Sequence, residues 1–257
     1  MRLIDNTKKF DGLATEYSKG RPAYAKKFID ELYEKYGFSK ESIVADVGAG
    51  TGKFAKQILD KGSFVYCVEP NVDMRTKAVG ELKAYKNVEC IDGDAANTCL
   101  NDNSVDFVTV AQAFHWFEVE SFKRECKRIL KPGGKVFLVW NSRDTNFEIV
   151  CKNAEIYNRY CPGFKGFSNG IQENDARIEE FFDGKYEKVK YDNPLYFTKE
   201  IFISRCLSSS YSLKCGEDKY NEYVGELEKL FDVYEVNGTV CMPNSTIVYF
   251  GRVDLIK

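Results

Sequence analysis

The sequence predicts an α/β protein built on a mostly parallel sheet with helices on both faces. Short apolar runs of strand length alternate with helix-period stretches from residue 43 to residue 140, the rhythm of strands joined by helical crossovers. The first run feeds into Gly48-Ala49-Gly50-Thr51-Gly52 and then a helix, so a tight turn at a strand end opens onto a helix N-terminus. The 257 residues are 44% hydrophobic and 30% charged, an ordinary globular balance with length enough for one large core.

Each element follows from its local pattern. Over 22–36, Tyr24, Phe28, Leu32 and Tyr36 recur every four residues, Pro22 suits a first helical turn, and Gly37 suits the end, which predicts an amphipathic helix. Ile43–Val47 reads as a buried strand, and beyond the glycines Phe54, Ala55, Ile58 and Leu59 mark one helix face. Phe64–Val68 is a second strand ending at Glu69, followed by a helix over 72–83, a strand over 88–91 and a loop at Gly93-Asp94. Val105–Val110 is the fourth strand. Val119, Phe122, Cys126 and Ile129 give a helix that stops before Lys131-Pro132-Gly133-Gly134, and Val136–Trp140 is the fifth strand. Between 144 and 183 the rhythm breaks: aromatics, Pro162 and several glycines interrupt helical stretches, as expected of a cap insertion that shapes a substrate pocket. Residues 185–198 read as extended, 217–235 as a helix presenting Tyr220, Val224, Leu227 and Phe231, and 246–250 as a terminal strand.

Composition excludes several functions. With 37 Lys and Arg against 39 Asp and Glu, the net charge is −2, so no global field draws the chain onto nucleic acid or an anionic membrane surface. A long apolar leader and an 18-residue apolar run are both missing, and a cytoplasmic protein is expected. The nine cysteines form no Cys-x-x-Cys, and His115 is the only histidine, so reduced, buried thiols are expected and no metal site.

Several ligands suit a glycine turn between strand and helix. The phosphate-cradling G-x-x-x-x-G-K-[ST] pattern fails, because Val47 and Phe54 stand where a glycine and a hydroxyl residue are needed. The dinucleotide pattern G-x-G-x-x-G fails at Lys53 when started at Gly48; started at Gly50 it is met by Gly52 and Ala55, but too far past the strand. Glu69, at the tip of the second strand, suits ribose hydroxyls of a dinucleotide or an adenosyl cofactor alike.

Ala45-Asp46-Val47-Gly48-Ala49-Gly50-Thr51-Gly52 resembles the first motif of class I S-adenosylmethionine-dependent methyltransferases, and Asp46 ahead of the glycines sets it apart from nucleotide dehydrogenases. Further matches follow in order at Val68-Glu69-Pro70-Asn71 through Met74, Gly93-Asp94-Ala95, Ser104–Val108 and Leu130–Val136. Gln112–Phe117, with Phe10, Tyr17 and Arg21-Pro22 upstream, is similar to the small-molecule branch that includes trans-aconitate methyltransferase-like proteins. The resemblance covers about residues 10–140, and Tyr196-Phe197-Thr198 and 246–250 resemble the branch's last strands.

That resemblance implies a single Rossmann-like domain over 1–257: a seven-stranded, mostly parallel sheet, helices on both faces, a C-terminal antiparallel strand and N-terminal lid helices over 1–40. It implies S-adenosyl-L-methionine as cofactor, with Gly48, Ala49 and Gly50 along the methionine moiety, Glu69 on the ribose, and Asp94 and Ala95 beside the adenine. Asp46 fixes the loop, Pro70, Met74, Gln112 and Ala113 flank the cofactor, and Tyr17 and Arg21 belong to the lid. The expected reaction is direct displacement onto a small-molecule acceptor, a carboxylate by resemblance to the branch, with His115 and Trp116 at the acceptor. His115 is a candidate general base, although a carboxylate carries its own nucleophile and needs alignment more than a base. A nicotinamide-dependent oxidoreductase and a non-catalytic adenosyl-binding protein are the alternatives. Asp192-Asn193-Pro194-Leu195-Tyr196 departs at Leu195 from the D/N-P-P-Y pattern of nucleobase amino-group methyltransferases and reads as a strand-edge turn.

Overall fold

The computed structural model describes residues 22–167, 175–209 and 211–253, so Tyr17 and Arg21 lie outside the described residues. The first helix is α1 (Lys26–Glu34), shorter than the 22–36 read from periodicity. Backbone groups before it have distant partners that a helix would forfeit. The Tyr24 N–H donates to Gln57 Oε1 at 2.9 Å, the Ala25 N–H donates to Thr246 Oγ1 at 2.9 Å, and the Ala23 carbonyl accepts from Asn193 Nδ2 at 2.9 Å. Pro22 therefore leads an extended stretch rather than a first turn, while Gly37 does end the segment, at φ +92°.

There follow β1 (Ile43–Val47), α2 (Lys53–Leu59), β2 (Phe64–Val68), α3 (Val72–Leu82), β3 (Val88–Ile91) and β4 (Val105–Ala111). A short 3-10 turn at Phe114–Trp116 precedes α4 (Val119–Ile129), and β5 (Leu130–Arg143) starts earlier than predicted. Lys131-Pro132-Gly133-Gly134 is a bulge rather than a strand boundary: Val105 faces Leu130 and Phe107 faces Lys135, so four residues stand opposite Asp106 alone. Gly134 is required there because a Cβ would lie 2.8 Å from the Asp106 carbonyl oxygen. The chain continues through α5 (Glu148–Tyr160), α6 (Ala176–Phe182), β6 (Tyr186–Asp192), β7 (Leu195–Phe197), α7 (Lys199–Leu207), α8 (Tyr220–Tyr234), β8 (Val240–Met242) and β9 (Asn244–Gly251). Asn193 and Pro194 form the link between β6 and β7.

The seven-stranded sheet has the order β3-β2-β1-β4-β5-β9-β6, in which β9 alone runs antiparallel to its neighbours. Alternate side chains feed two cores. On one face Ala45, Val108, Leu138 and Trp140 pack with Phe122 and Ile129 of α4 and Phe181 of α6. On the other, Val44, Phe107 and Phe137 pack with Phe28 and Leu32 of α1 and Phe54 and Ile58 of α2. A third cluster joins Tyr157 of α5, Phe202 of α7 and Leu227 and Phe231 of α8 to β8, whose partner is β7 in a separate two-stranded sheet. The 144–183 stretch is therefore divided: α5 belongs to this third cluster, while α6 joins the helical layer on the main sheet.

Four cysteines, 67, 126, 161 and 206, are buried, whereas 99, 151 and 215 are exposed, and all nine are free thiols. Among the described residues no helix is long and apolar enough to cross a membrane, and no group of three His, Cys, Asp or Glu side chains is placed to hold a metal ion.

One buried ionic network holds the loop after β3 to α4. Glu125, 6% exposed, accepts from the Thr98 N–H at 2.8 Å and from Arg128 Nη2 at 2.7 Å, and Arg128 Nη1 donates to the Leu100 carbonyl at 2.7 Å. Burial pushes the Glu125 carboxyl up, but the Arg128 and Thr98 hydrogen bonds outweigh it and hold the group below the usual range. Stability from this carboxylate is then present above the unfolded value and lost as pH falls. Glu125→Gln is expected to lower unfolding free energy by about 1–3 kcal/mol at pH 7 and by less at pH 3, as measured by urea denaturation.

Candidate functional site

The strand order reverses between β1 and β4, so the loops leaving them part and open a crevice at the carboxyl edge, where open α/β sheets hold ligands. The glycine turn after β1 forms one wall. The N–H groups of Gly48 and Ala49 both donate to the Val68 carbonyl, at 2.8 and 3.1 Å, fixing the turn to the end of β2. The three glycines have different reasons. A Cβ on Gly48 (φ +70°) would stand 2.6 Å from Ala113 Cβ, and one on Gly52 (φ +77°) would stand 2.7 Å from Leu82 Cδ1. These two let neighbouring elements close on the turn. Gly50 (φ +58°) faces open space, with nothing within 4 Å of a Cβ, so its outer side is free for a ligand to run along the backbone.

Glu69 closes the next strand. It is 8% exposed, its Oε2 accepts from the Gly50 N–H at 2.8 Å and its Oε1 from the Asn71 N–H at 3.0 Å. Burial raises its pKa, with those two N–H groups pulling the other way. Arg75 Nη1 donates to the Glu69 and Pro70 carbonyls at 2.7 and 3.1 Å, and Nη2 pairs with Asp92 at 3.0 Å, so one guanidinium sets the chain beyond β2. Asn71 Oδ1 caps α3 by accepting from the Met74 N–H at 3.0 Å, and the Met74 side chain is buried in the first turn.

Asp46 lies deeper, 1% exposed at the penultimate position of β1. Its Oδ1 accepts from Thr109 Oγ1 of β4 at 2.9 Å, bridging the strands on either side of the crevice, while Oδ2 has no hydrogen-bond partner. Burial pushes this carboxyl up to about 7 against the Thr109 hydroxyl and the Ala55 N–H.

The structure sets Gly48, Ala49, Gly50, Glu69 and Pro70 beyond the carboxyl ends of β1 and β2, with Asp46 buried beneath the turn and Met74 buried in the first turn of α3. Asp94 is exposed, and its Oδ1 accepts from the Ala96 and Asn97 N–H groups at 2.8 and 2.9 Å, shaping its own loop, while the half-buried Ala95 packs on the core. Beyond β4, Gln112 adopts φ +59°; its N–H donates to the Val139 carbonyl and its Nε2 to the Asn141 carbonyl, both at 2.9 Å. Ala113 presses on Gly48, joining the two walls. His115 and Trp116 follow on the half-buried 3-10 turn with ring centroids 4.5 Å apart.

Two features escaped sequence reasoning. Arg177, in the first turn of α6, pairs with Asp175 and donates from Nη1 to the His115 carbonyl at 3.3 Å, tying α6 to the turn after β4. Arg143, the last residue of β5, lays its guanidinium over Phe167 at 4.1 Å from the ring centroid. The polar run Asn141-Ser142-Arg143-Asp144 directly after an apolar strand is the signal that would have pointed to it.

A family profile describing a methyltransferase domain matches residues 45–138. A mycobacterial methyltransferase from Mycobacterium bovis, itself uncharacterized, is 31% identical over 210 residues, 81% of this chain and 79% of that protein. An uncharacterized methyltransferase-like protein of Schizosaccharomyces pombe is 36% identical over 154 residues, 60% of this chain and 59% of that one. A solved structure from Anaeromyxobacter dehalogenans, provisionally named a type II methyltransferase, superposes with a TM-score of 0.64 at 18% identity, covering 91% of this chain and 98% of that one. With its glycine turn, acidic strand tips and sheet order, the chain belongs to the class I S-adenosylmethionine-dependent methyltransferases.

Proposed function

We propose that this enzyme methylates a small molecule, with a carboxylate oxygen as the accepting atom, by direct in-line displacement. The observation that carries the cofactor half is the open side of Gly50 next to the Glu69 carboxylate, which supplies a backbone channel and a fixed acid side by side. S-adenosylmethionine, when bound, supplies an electrophilic methyl carbon whose bonding pair leaves with sulfur as the acceptor oxygen bonds to carbon, so no proton is released.

In this reading Gly48, Ala49 and Gly50 bind the methionine end. Glu69 receives the ribose hydroxyls, and Pro70, Met74, Asp94 and Ala95 border the adenine. Gln112 and Ala113 flank the cofactor. His115 and Trp116 orient the acceptor, and α5 with its neighbours covers it and excludes water, which strengthens alignment without a proton-transfer group. A small acceptor rather than a nucleic acid is supported by the net charge of −2 and the lack of a basic stripe in the sequence.

Titration calorimetry tests the reading. S-adenosylmethionine and S-adenosylhomocysteine are expected to bind saturably and NAD not at all, and Glu69→Ala is expected to weaken both adenosyl ligands by about tenfold, the scale of a lost charged hydrogen bond. Binding of NAD alone would overturn the assignment. Incubation with S-adenosylmethionine and a panel of small carboxylic acids should then give methyl esters by mass spectrometry.

A further inference from the structure

We propose that Arg143, together with Asn244 opposite it, is an oxyanion subsite for the methyl acceptor, gripping a carboxylate or phosphate group other than the oxygen that receives the methyl. The inference rests on the methyltransferase reading above and adds the residue that selects the acceptor's charge.

Position comes first. Ala111, the end of β4, is level with Val139 of β5, so Arg143 stands four residues further out along β5, above the carboxyl edge beside the crevice. It is the register partner of Asn244, the first residue of β9, and directly paired residues present their side chains on one face of the ladder. Alternation puts Asn141 on that same face, where its Nδ2 donates to the Ala23 carbonyl at 3.1 Å.

Charge comes second. Arg75, Arg128, Arg159 and Arg177 each pair with a carboxylate. Among the described residues Arg143 forms no salt bridge; its partner is the ring of Phe167, which steadies the guanidinium plane while leaving its five N–H donors unneutralised. Its positive field reaches inward: burial raises the Tyr157 phenol and the Cys206 thiol, and Arg143 opposes that rise at both.

Unmet hydrogen bonding comes third. Asn244 is 6% exposed and its Nδ2 is buried without a hydrogen-bond partner. A native interior rarely leaves such atoms unmet unless something else supplies the partner. A cation and an amide donor side by side ask for an oxyanion. That group cannot be the methyl-accepting oxygen, because pairing with a guanidinium drains the electron density needed for attack on the methyl carbon. The acceptor therefore carries a second anionic group, held at Arg143 while the first faces the crevice.

The test uses the whole protein saturated with S-adenosylhomocysteine and titrated calorimetrically with four- to six-carbon dicarboxylates, their monoamides and inorganic phosphate. Wild type is expected to bind at least one dicarboxylate or phosphate more tightly than the monoamides, and whichever binds better identifies the oxyanion. Arg143→Met should weaken that binding at least tenfold, Arg143→Lys should restore part of it, and Asn244→Asp should repel the anion, with S-adenosylhomocysteine affinity unchanged within twofold in each. Equal anion binding by wild type and Arg143→Met, or no anion binding by the loaded wild type, would overturn the subsite. Failure of S-adenosylhomocysteine to bind wild type would instead bring down the cofactor reading, and the subsite with it.

Discussion

Gly48→Val is expected to lower unfolding free energy by about 3–5 kcal/mol and to weaken S-adenosylmethionine binding more than a hundredfold. Two costs combine. At φ +70° a β-branched side chain is strained, and its Cβ would lie 2.6 Å from Ala113 Cβ and 3.2 Å from Phe117 Cζ. Relief requires the turn after β1 to part from the turn after β4, and these are the two walls of the crevice. Gly50→Ala separates space from strain, since its Cβ meets nothing within 4 Å and only the left-handed backbone costs, about 1–2 kcal/mol. An affinity loss at Gly50 that exceeds its stability loss would mark the ligand's path; a Gly48→Val protein that keeps both stability and binding would refute the account of the crevice.

Asp46→Ala is expected to weaken S-adenosylmethionine binding at least tenfold, because it removes the acceptor of the Thr109 hydroxyl that links β1 to β4 beneath the glycine turn. Asp46→Asn tests the charge. The folded carboxyl titrates at about 7, raised from 3.8 mainly by burial, so the folded state holds the proton over a range in which the unfolded chain has lost it. That contribution to stability is complete below pH 3.8 and disappears as pH rises through 7, a change of about 4 kcal/mol. The asparagine variant lacks this slope while its Oδ1 can still accept from Thr109. Urea denaturation at pH 4, 6 and 8 should therefore show wild type losing stability relative to Asp46→Asn as pH rises; parallel curves would mean that Asp46 is not held protonated.

Local pattern was sufficient where local forces decide. Ile43–Val47, Phe64–Val68 and 88–91 stand where the apolar runs put them, since a buried parallel strand is bounded by the turn residues that stop it. The glycine turn and the acids at 46 and 69 were readable because they lie within one strand-turn-helix unit and the strand beside it. Periodicity failed where distant partners intervene: Pro22–Ala25 is held out of α1 by hydrogen bonds to residues such as Gln57 and Thr246, 33 and 221 positions away. The pairing of Leu195 with Met242 and of Arg143 with Asn244 likewise depends on register between segments that carry no mutual signal in one sequence. The turn and the acids around β1 and β2 were thus legible, and the pairing of β5 with β9 and the packing of α5 were not.

The place of β9 bears on how the chain is made. It comes after β6 in the sequence yet lies between β5 and β6 in the sheet, paired to each along most of its length. A nascent chain emerging from the ribosome can assemble β1 to β5 with their helices while β6 has no edge on which to dock. Residues 244–251 then act as a keystone: their arrival seals the open side of β5 and recruits β6 in one step. Proteolytic loss of that short stretch would strand two elements rather than trim one, and a slow decoding stretch upstream of it would lengthen the time for which β5 offers an unpaired edge to other chains.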